Sequence, residues 1–284
     1  NGGITLIVPA MRNHSNHPDV QASACEVLCV LASHSSNTRE TISEHNGIAH
    51  VLEAMKNHAD HAVVQANACG VLAWLALDIG KSTIPLQGGI ELIVQAMKSH
   101  LNSVSVQMRG CEALCVLCME SEQNRNSVVE RGGVESVFQS VKQYPLDDNV
   151  SRIAMKCLQE IAKNAALSKQ IEVETIELCM DVLKTHPKDV SVQSKYLSMM
   201  NDLLKQRKAS NPEFKKLVDE FMNRGGLEVV FEAMKTHPLD GSINLCALAI
   251  LANMIIAENR DAIASRDTAL VVLNAMRNHP NSAD

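Results

Sequence analysis

Aromatic side chains are scarce: the 284 residues hold one Trp, two Tyr and four Phe, 2% of the chain. So few rings cannot supply the stacking platforms on which single-stranded nucleic acids are bound. A basic block is lacking too. The net charge of -6 is spread along the sequence, the opposite of a phosphate-neutralising surface. No apolar run approaches the roughly 20 residues of a membrane-spanning helix. The longest, Leu245 to Ala257, is interrupted by Asn253. There is no Gly-rich phosphate loop, nucleophile elbow or zinc-protease signature, and no set of nucleophile, base and orienting group can be assembled. The expectation is a protein that is not an enzyme and takes no cofactor. Asn1 opens the sequence with neither a start Met nor a signal-peptide pattern, which predicts a segment of something longer.

What is present is aliphatic. Apolar residues make up 46% of the chain, so the core must be Leu, Ile, Val, Ala, Met and Cys, side chains suited to closely stacked helices. An all-α protein follows. The nine cysteines are an odd number and lie mostly on apolar helical faces, as Cys111, Cys115 and Cys118 do. They read as small core residues of a reducing compartment, the cytosol or nucleus.

The block Ala-Met-x-x-His recurs at Ala10-Met11 with His14, Ala54-Met55 with His58, Ala96-Met97 with His100, Ala233-Met234 with His237, and Ala275-Met276 with His279. Degenerate copies place Val141 with Tyr144 and Leu183 with His186. The Met-equivalent positions are 44, 42, 44, 42, 51 and 42 residues apart, a period near 42 rather than the 34 of a tetratricopeptide. Six residues after each His or Tyr comes a β-branched residue: Val20, Val64, Val106, Val150, Val192 and Ile243. A loop of constant length implies one rigid turn reused. Gln follows in four copies, as Gln21, Gln65, Gln107 and Gln193, and then apolar residues continue at helical spacing.

Just before each second helix lies a turn signal: Gly2-Gly3, Asn46-Gly47, Gly88-Gly89, Gly132-Gly133 and Gly225-Gly226. Glycine there can take φ > 0 and redirect the chain. The segments ahead of it, Asn37 to His45 and Asn124 to Arg131, predict short polar helices opened by Asn caps. Each unit is thus a short helix, a Gly turn, a second helix ending in the His block, and a third helix opening near Val-Gln. Pro9 should bend or fray the first second-type helix.

This pattern resembles the armadillo repeat and covers nearly the whole chain. The ending of the second helix resembles that of the armadillo segment of the large leucine-rich-repeat kinases. The resemblance implies an all-α, right-handed α-solenoid, a superhelix of armadillo-type repeats. It would form a single domain over residues 1–284, with six second-plus-third helix pairs and a partial terminal repeat. Both ends look uncapped, with Ile4, Leu6 and Ile7 at one and Leu270, Val271 and Leu273 at the other, so self-association through the terminal helices is an alternative. From Val192 to Gly226 the spacing is 34 residues against 25 to 27 elsewhere. The excess near 205–213, with Lys205, Arg207 and Lys208, reads as a longer third helix or a protruding loop and as a secondary basic contact.

The histidines recur once per repeat, about 10 Å apart, too far for one metal ion. They are expected to meet unpaired carbonyls at helix C-termini. The pairs His14/His17 and His58/His61 are two ligands each and make no metal site. In armadillo proteins the third helices line a concave groove, and in the nuclear-import receptors two positions per helix are typically Trp and, four residues on, Asn. Those positions here hold Glu26 and Val30, Gly70 and Trp74, Glu112 and Val116, Lys156 and Glu160, Ser198 and Asp202, Ala249 and Asn253. Only Asn253 matches. The resemblance therefore implies a protein–protein interaction scaffold with a different groove, whose anchor is Trp74, or else a regulatory repeat segment of a larger protein. The ligand expected is a peptide or partner domain with basic flanks, not nucleic acid or membrane.

Overall fold

In a computed structural model the residues described are 2–163, 165–205, 212–256, 273 and 277–278. Among them are sixteen helices and no strand. In chain order they are α1 (Ile4–Asn13), α2 (Pro18–His34), α3 (Ser36–Glu44), α4 (Gly47–Asn57), α5 (Ala62–Leu75), α6 (Gly80–Leu86), α7 (Gly89–Ser99) and α8 (Val104–Cys118). Then come α9 (Glu122–Glu130), α10 (Gly133–Gln143), α11 (Asp148–Ala162), α12 (Ala165–Thr185), α13 (Val190–Lys205), α14 (Pro212–Asn223), α15 (Gly226–Thr236) and α16 (Gly241–Ile256).

The chain divides into two compact units, Asn1–Leu167 and Ser168–Asp284. In the first, the third helices α2, α5, α8 and α11 stack in sequence, each packed on the next. The second helices α1, α4, α7 and α10 form a parallel row behind them. In the second unit α13 packs on α16, and α15 on α16. The cores are aliphatic, as the composition requires: Leu28, Leu72, Leu114 and Leu158 are buried at equivalent points of the four stacked helices.

The constant loop is a single turn. The amide of the residue three beyond each His or Tyr donates to that residue's carbonyl, from His17 to His14, His61 to His58, Ser103 to His100, Asp147 to Tyr144, Asp189 to His186 and Asp240 to His237, at 3.0–3.3 Å. That third residue is also the N-cap of the next helix. Asp147, Asp189 and Asp240 accept from the amides of Val150, Val192 and Ile243 at 2.9–3.0 Å. Ser103 caps Val106, and His61 accepts from Val64 through Nδ1. The His-x-x-His pairs are thus the two ends of a turn. The Gln is its clip: Nε2 of Gln21, Gln65, Gln107 and Gln193 donates to the carbonyls of Met11, Met55, Met97 and Leu183 and to those of His14, His58, His100 and His186, all at 2.8–3.0 Å. These buried amides supply a donor to one helix-terminal carbonyl and a second donor to the carbonyl that the turn amide already holds.

The two residues of the Gly turn have different tasks. The first takes the left-handed conformation, Asn46 at φ 58°, Gly88 at 80°, Gly132 at 74° and Gly225 at 79°. The second lacks a Cβ because there is no room for one. An added Cβ at Gly47, Gly89, Gly133 or Gly226 would fall within 2.5 Å of the side chain of Ile42, Ile84, Val128 or Phe221.

Three local expectations need correction. The short helices are capped by Ser35 and Ser121, not by Asn37 and Asn124. Asn124 instead lies buried in the first turn and donates to the carbonyls of Leu117 and Lys81. Helix α1 remains helical through Pro9. The fifth repeat has no break between short and second helix: Glu174-Thr175 stands where the Gly turn stands elsewhere, and α12 runs 21 residues. Thr175 is buried and bonds the carbonyl of Ile171 within the helix. Helix α13 is described over 16 residues, against 17 in α2, up to Lys205, and residues 206–211, which follow it, lie outside the described ones. Part of the extra length after Val192 is α14, 12 residues against 9 in α3 and α9. Arg207 and Lys208, like the terminal Leu270, Val271, Met276 and His279, fall outside the described residues.

Candidate functional site

The recurring histidines do meet carbonyls, but mostly those of the preceding repeat. Nε2 of His58, His100 and His237 donates to the carbonyls of Ser15, Ala59 and Pro187 at 2.7–2.8 Å, in each case the residue just after the preceding repeat's His. Asn278 reaches the carbonyl of Pro238 in the same way. His186 alone follows the expectation, lying against the Val182 carbonyl of its own helix end. Among the described residues no group of three or more His, Cys, Asp or Glu could hold a metal ion.

The candidate partner face is carried by the third helices. On the first unit Glu26, Val30 and Lys156 are exposed, whereas Trp74, Glu112, Val116 and Glu160 are half-buried. Cys29 on α2 shows which of them meet. Burial pushes its thiol up; Arg109 pulls it down, Glu112 pushes it up, a polar contact from Trp74 pulls it down, and Glu26 pushes it up. Groups of α2, α5 and α8 therefore converge on one sulfur. A second gathering surrounds Cys115, whose thiol is pushed up to about 11 by burial, with Lys156, Glu160, Glu112 and Lys163 around it. Glu160 there is ion-paired with Lys163 at 2.7 Å.

Arg109 is the residue that sequence reasoning missed. Its Nη1 donates to Asn67 Oδ1 at 2.9 Å, and Asn67 in turn donates to the Ala22 carbonyl on α2. The guanidinium lies over Gly70, where an added Cβ would meet both Arg109 Nη1 and Cys29 Sγ at 3.0 Å. The bare backbone at one groove position thus makes room for a long side chain from the next helix. The signal was available: Gly70 occupies a groove position, and Arg109 sits three residues before Glu112.

On the second unit Ser198 and Asn253 are half-buried, while Asp202 and Lys205 are exposed. Ser198, Asp202 and Lys205 all act on the Cys246 thiol, which burial pushes up. Asn253 donates to Asn201 Oδ1 at 3.4 Å, an internal contact rather than an open amide. Ser198 and Asp202 thus share one neighbourhood, while Asn253 bonds to Asn201 outside it.

Residues 87–174 match the family model described as LRRK2 ARM repeat. No curated protein matches the sequence. Among solved structures, an engineered protein superposes with a TM-score of 0.63 at 21% identity, over 90% of this chain and 97% of that one. A designed armadillo repeat protein in complex with the peptide (KR)4 gives 0.61 at 16% identity, over 88% and 98%. A structure concerned with the interaction between cadherin and beta-catenin gives 0.62 at 14% identity, over 98% of this chain and 53% of that one. Identities this low speak for the fold alone. With the turn, the clip and the three-helix unit repeated along both parts, and with residues 87–174 matched by an armadillo family model, the fold of this chain is that of the armadillo-repeat solenoids.

Proposed function

We propose that the chain is a non-catalytic scaffold that holds a peptide or a partner domain along the exposed face of its third helices. The observation that carries this reading is the convergence of Glu26, Trp74, Arg109 and Glu112 from three successive third helices around Cys29. An indole and a guanidinium, both half-buried, are the side chains that dominate interface energies. Two structural neighbours are described with a bound peptide or a protein partner, which supports the same use of the fold. Nine unpaired thiols support a reducing compartment such as the cytosol or nucleus. The double variant Trp74→Ala with Glu112→Lys is the test. It should stay folded and lose its partners in affinity capture; equal recovery would remove this face as the binding surface.

A second reading is self-association or packing of further repeats on the free face of α1 and α2. A shallow hollow of about 460 Å³ lies there, lined by Ile7, Ala10, Val20 and Val27 among others. The equivalent residues of the next repeats, Val51, Ala54, Val64 and Val71, then Ile93, Ala96, Val106 and Ala113, are all buried. Sedimentation that shows one constant monomer mass across concentration would exclude self-association.

A further inference from the structure

Arg109 is a half-buried guanidinium whose only hydrogen bond among the described residues is to Asn67 Oδ1. A guanidinium carries five N–H donors in a planar fork, so four remain unused. Their natural complement is the two oxygens of a carboxylate, taken side by side. Among the described residues no carboxylate forms an ion pair with it. Glu112 is the nearest in sequence, one turn along the same helix, and Glu26 lies across on α2. Both are felt at the same thiol as Arg109, yet neither closes onto the fork.

The surface around Trp74 therefore carries one positive group and two negative ones within reach of the same thiol. Such a pattern selects against uniform charge. A polybasic segment would meet Arg109, and an acidic tail would meet Glu26 and Glu112, each repelled by a like charge. Gly70 is itself buried, covered by the Arg109 guanidinium and Cys29 Sγ, so the guanidinium lies close against the backbone of α5.

Resting on the scaffold reading above, we propose that this site takes an extended protein segment of mixed charge: an acidic residue seated on Arg109 beside the Trp74 ring, with basic residues on either side meeting Glu26 and Glu112. Arg109 is the specificity-determining residue. Trp74 supplies the apolar wall.

The chain has one Trp, so its fluorescence reads this site directly. The probes are four capped heptapeptides: one with a central Glu between two Lys, its Glu→Gln counterpart, one with Lys at all three positions and one with Glu at all three. The mixed peptide should shift Trp74 emission and bind at least tenfold more tightly than the other three. Arg109→Gln should abolish that preference, and Arg109→Glu should transfer it to the all-Lys peptide. Circular dichroism checks that the variants fold, and the peptide series on the unaltered chain stands even if they do not. Equal or tighter binding of the all-Lys or all-Glu peptide, a preference that survives Arg109→Gln, or no response of Trp74 to any peptide would each overturn the proposal. Affinity capture with the Trp74→Ala and Glu112→Lys double variant separates the two claims. Partners lost there, with no mixed-charge preference here, would leave the groove standing and remove only its charge pattern.

Discussion

Two repeats with the same period handle the passage from short to second helix in opposite ways. In the first unit Gly132 turns left-handed and Gly133 leaves space for Val128, so α9 stops and α10 sets off in a new direction. In the second unit Glu174 and Thr175 occupy the same positions and α12 passes through without a break. The difference teaches that the turn is not imposed by neighbouring repeats. It is written locally, in two residues, and where they are absent the helix continues.

The units differ also in their thiols. Six buried cysteines, Cys25, Cys69, Cys111, Cys115, Cys118 and Cys157, lie in the first unit, against Cys179 in the second. Burial raises each of them, Cys69, Cys111 and Cys179 to about 12. A thiol raised above its ordinary value of 9.0 contributes stability that is complete below that pH and is lost as pH rises toward about 12. Alkali should therefore open the first unit well before the second. This is the largest effect expected. Pulsed maleimide labelling followed by mass spectrometry should find Cys111 and Cys157 modified at a lower pH than Cys179; simultaneous labelling would contradict it.

Next in size is a methyl group at the turn. Gly133→Ala places a Cβ 2.4 Å from Val128 and should cost up to about 3 kcal/mol in urea unfolding by overpacking. Breaking the clip comes third. Gln65→Leu removes the side-chain donor from the Met55 carbonyl and leaves the His58 carbonyl with the His61 amide alone, and should cost about 1–3 kcal/mol, whereas the same change at an exposed Gln such as Gln159 should cost almost nothing. The smallest effect sharpens the comparison directly. Glu174→Gly with Thr175→Gly, inside a continuous helix, should cost only about 1–2 kcal/mol from lost helix propensity. A gain in stability would mean that α12 is a suppressed turn rather than a true helix.

Much of this was legible in the sequence, because solenoid repeats print their constraints many times. The His-to-Val spacing located every turn, and Gly88-Gly89 or Gly132-Gly133 marked where helices end. What escaped notice was whatever one repeat does to another. The His58 imidazole reaches Ser15, 43 residues back, and no local pattern announces such a partner. Asn124 looked like a cap but is diverted to the carbonyls of Leu117 and Lys81, leaving the capping to Ser121. The candidate site was legible in the same degree. Glu26, Trp74 and Glu112 came from the repeat frame, while Arg109 lay one turn outside it and needed the space above Gly70 to be seen.

The clipped turn between second and third helices carries a consequence for how such a chain can vary. A cap, a turn amide, a Gln or Asn donor and often a His from the following repeat all depend on its count of residues, so an insertion there would break several bonds at once. The connection from a third helix to the next short helix is held less uniformly, by the Ser35 and Ser121 caps and by Arg39, Asn124 and Arg125 on the last carbonyls of α2 and α8. The extra residues after Val192 fall between that residue and Gly226, part of them in α14. The second-to-third turn is therefore the step least tolerant of insertion, and relatives of this protein should differ in length elsewhere while keeping the six-residue step from His to Val unchanged.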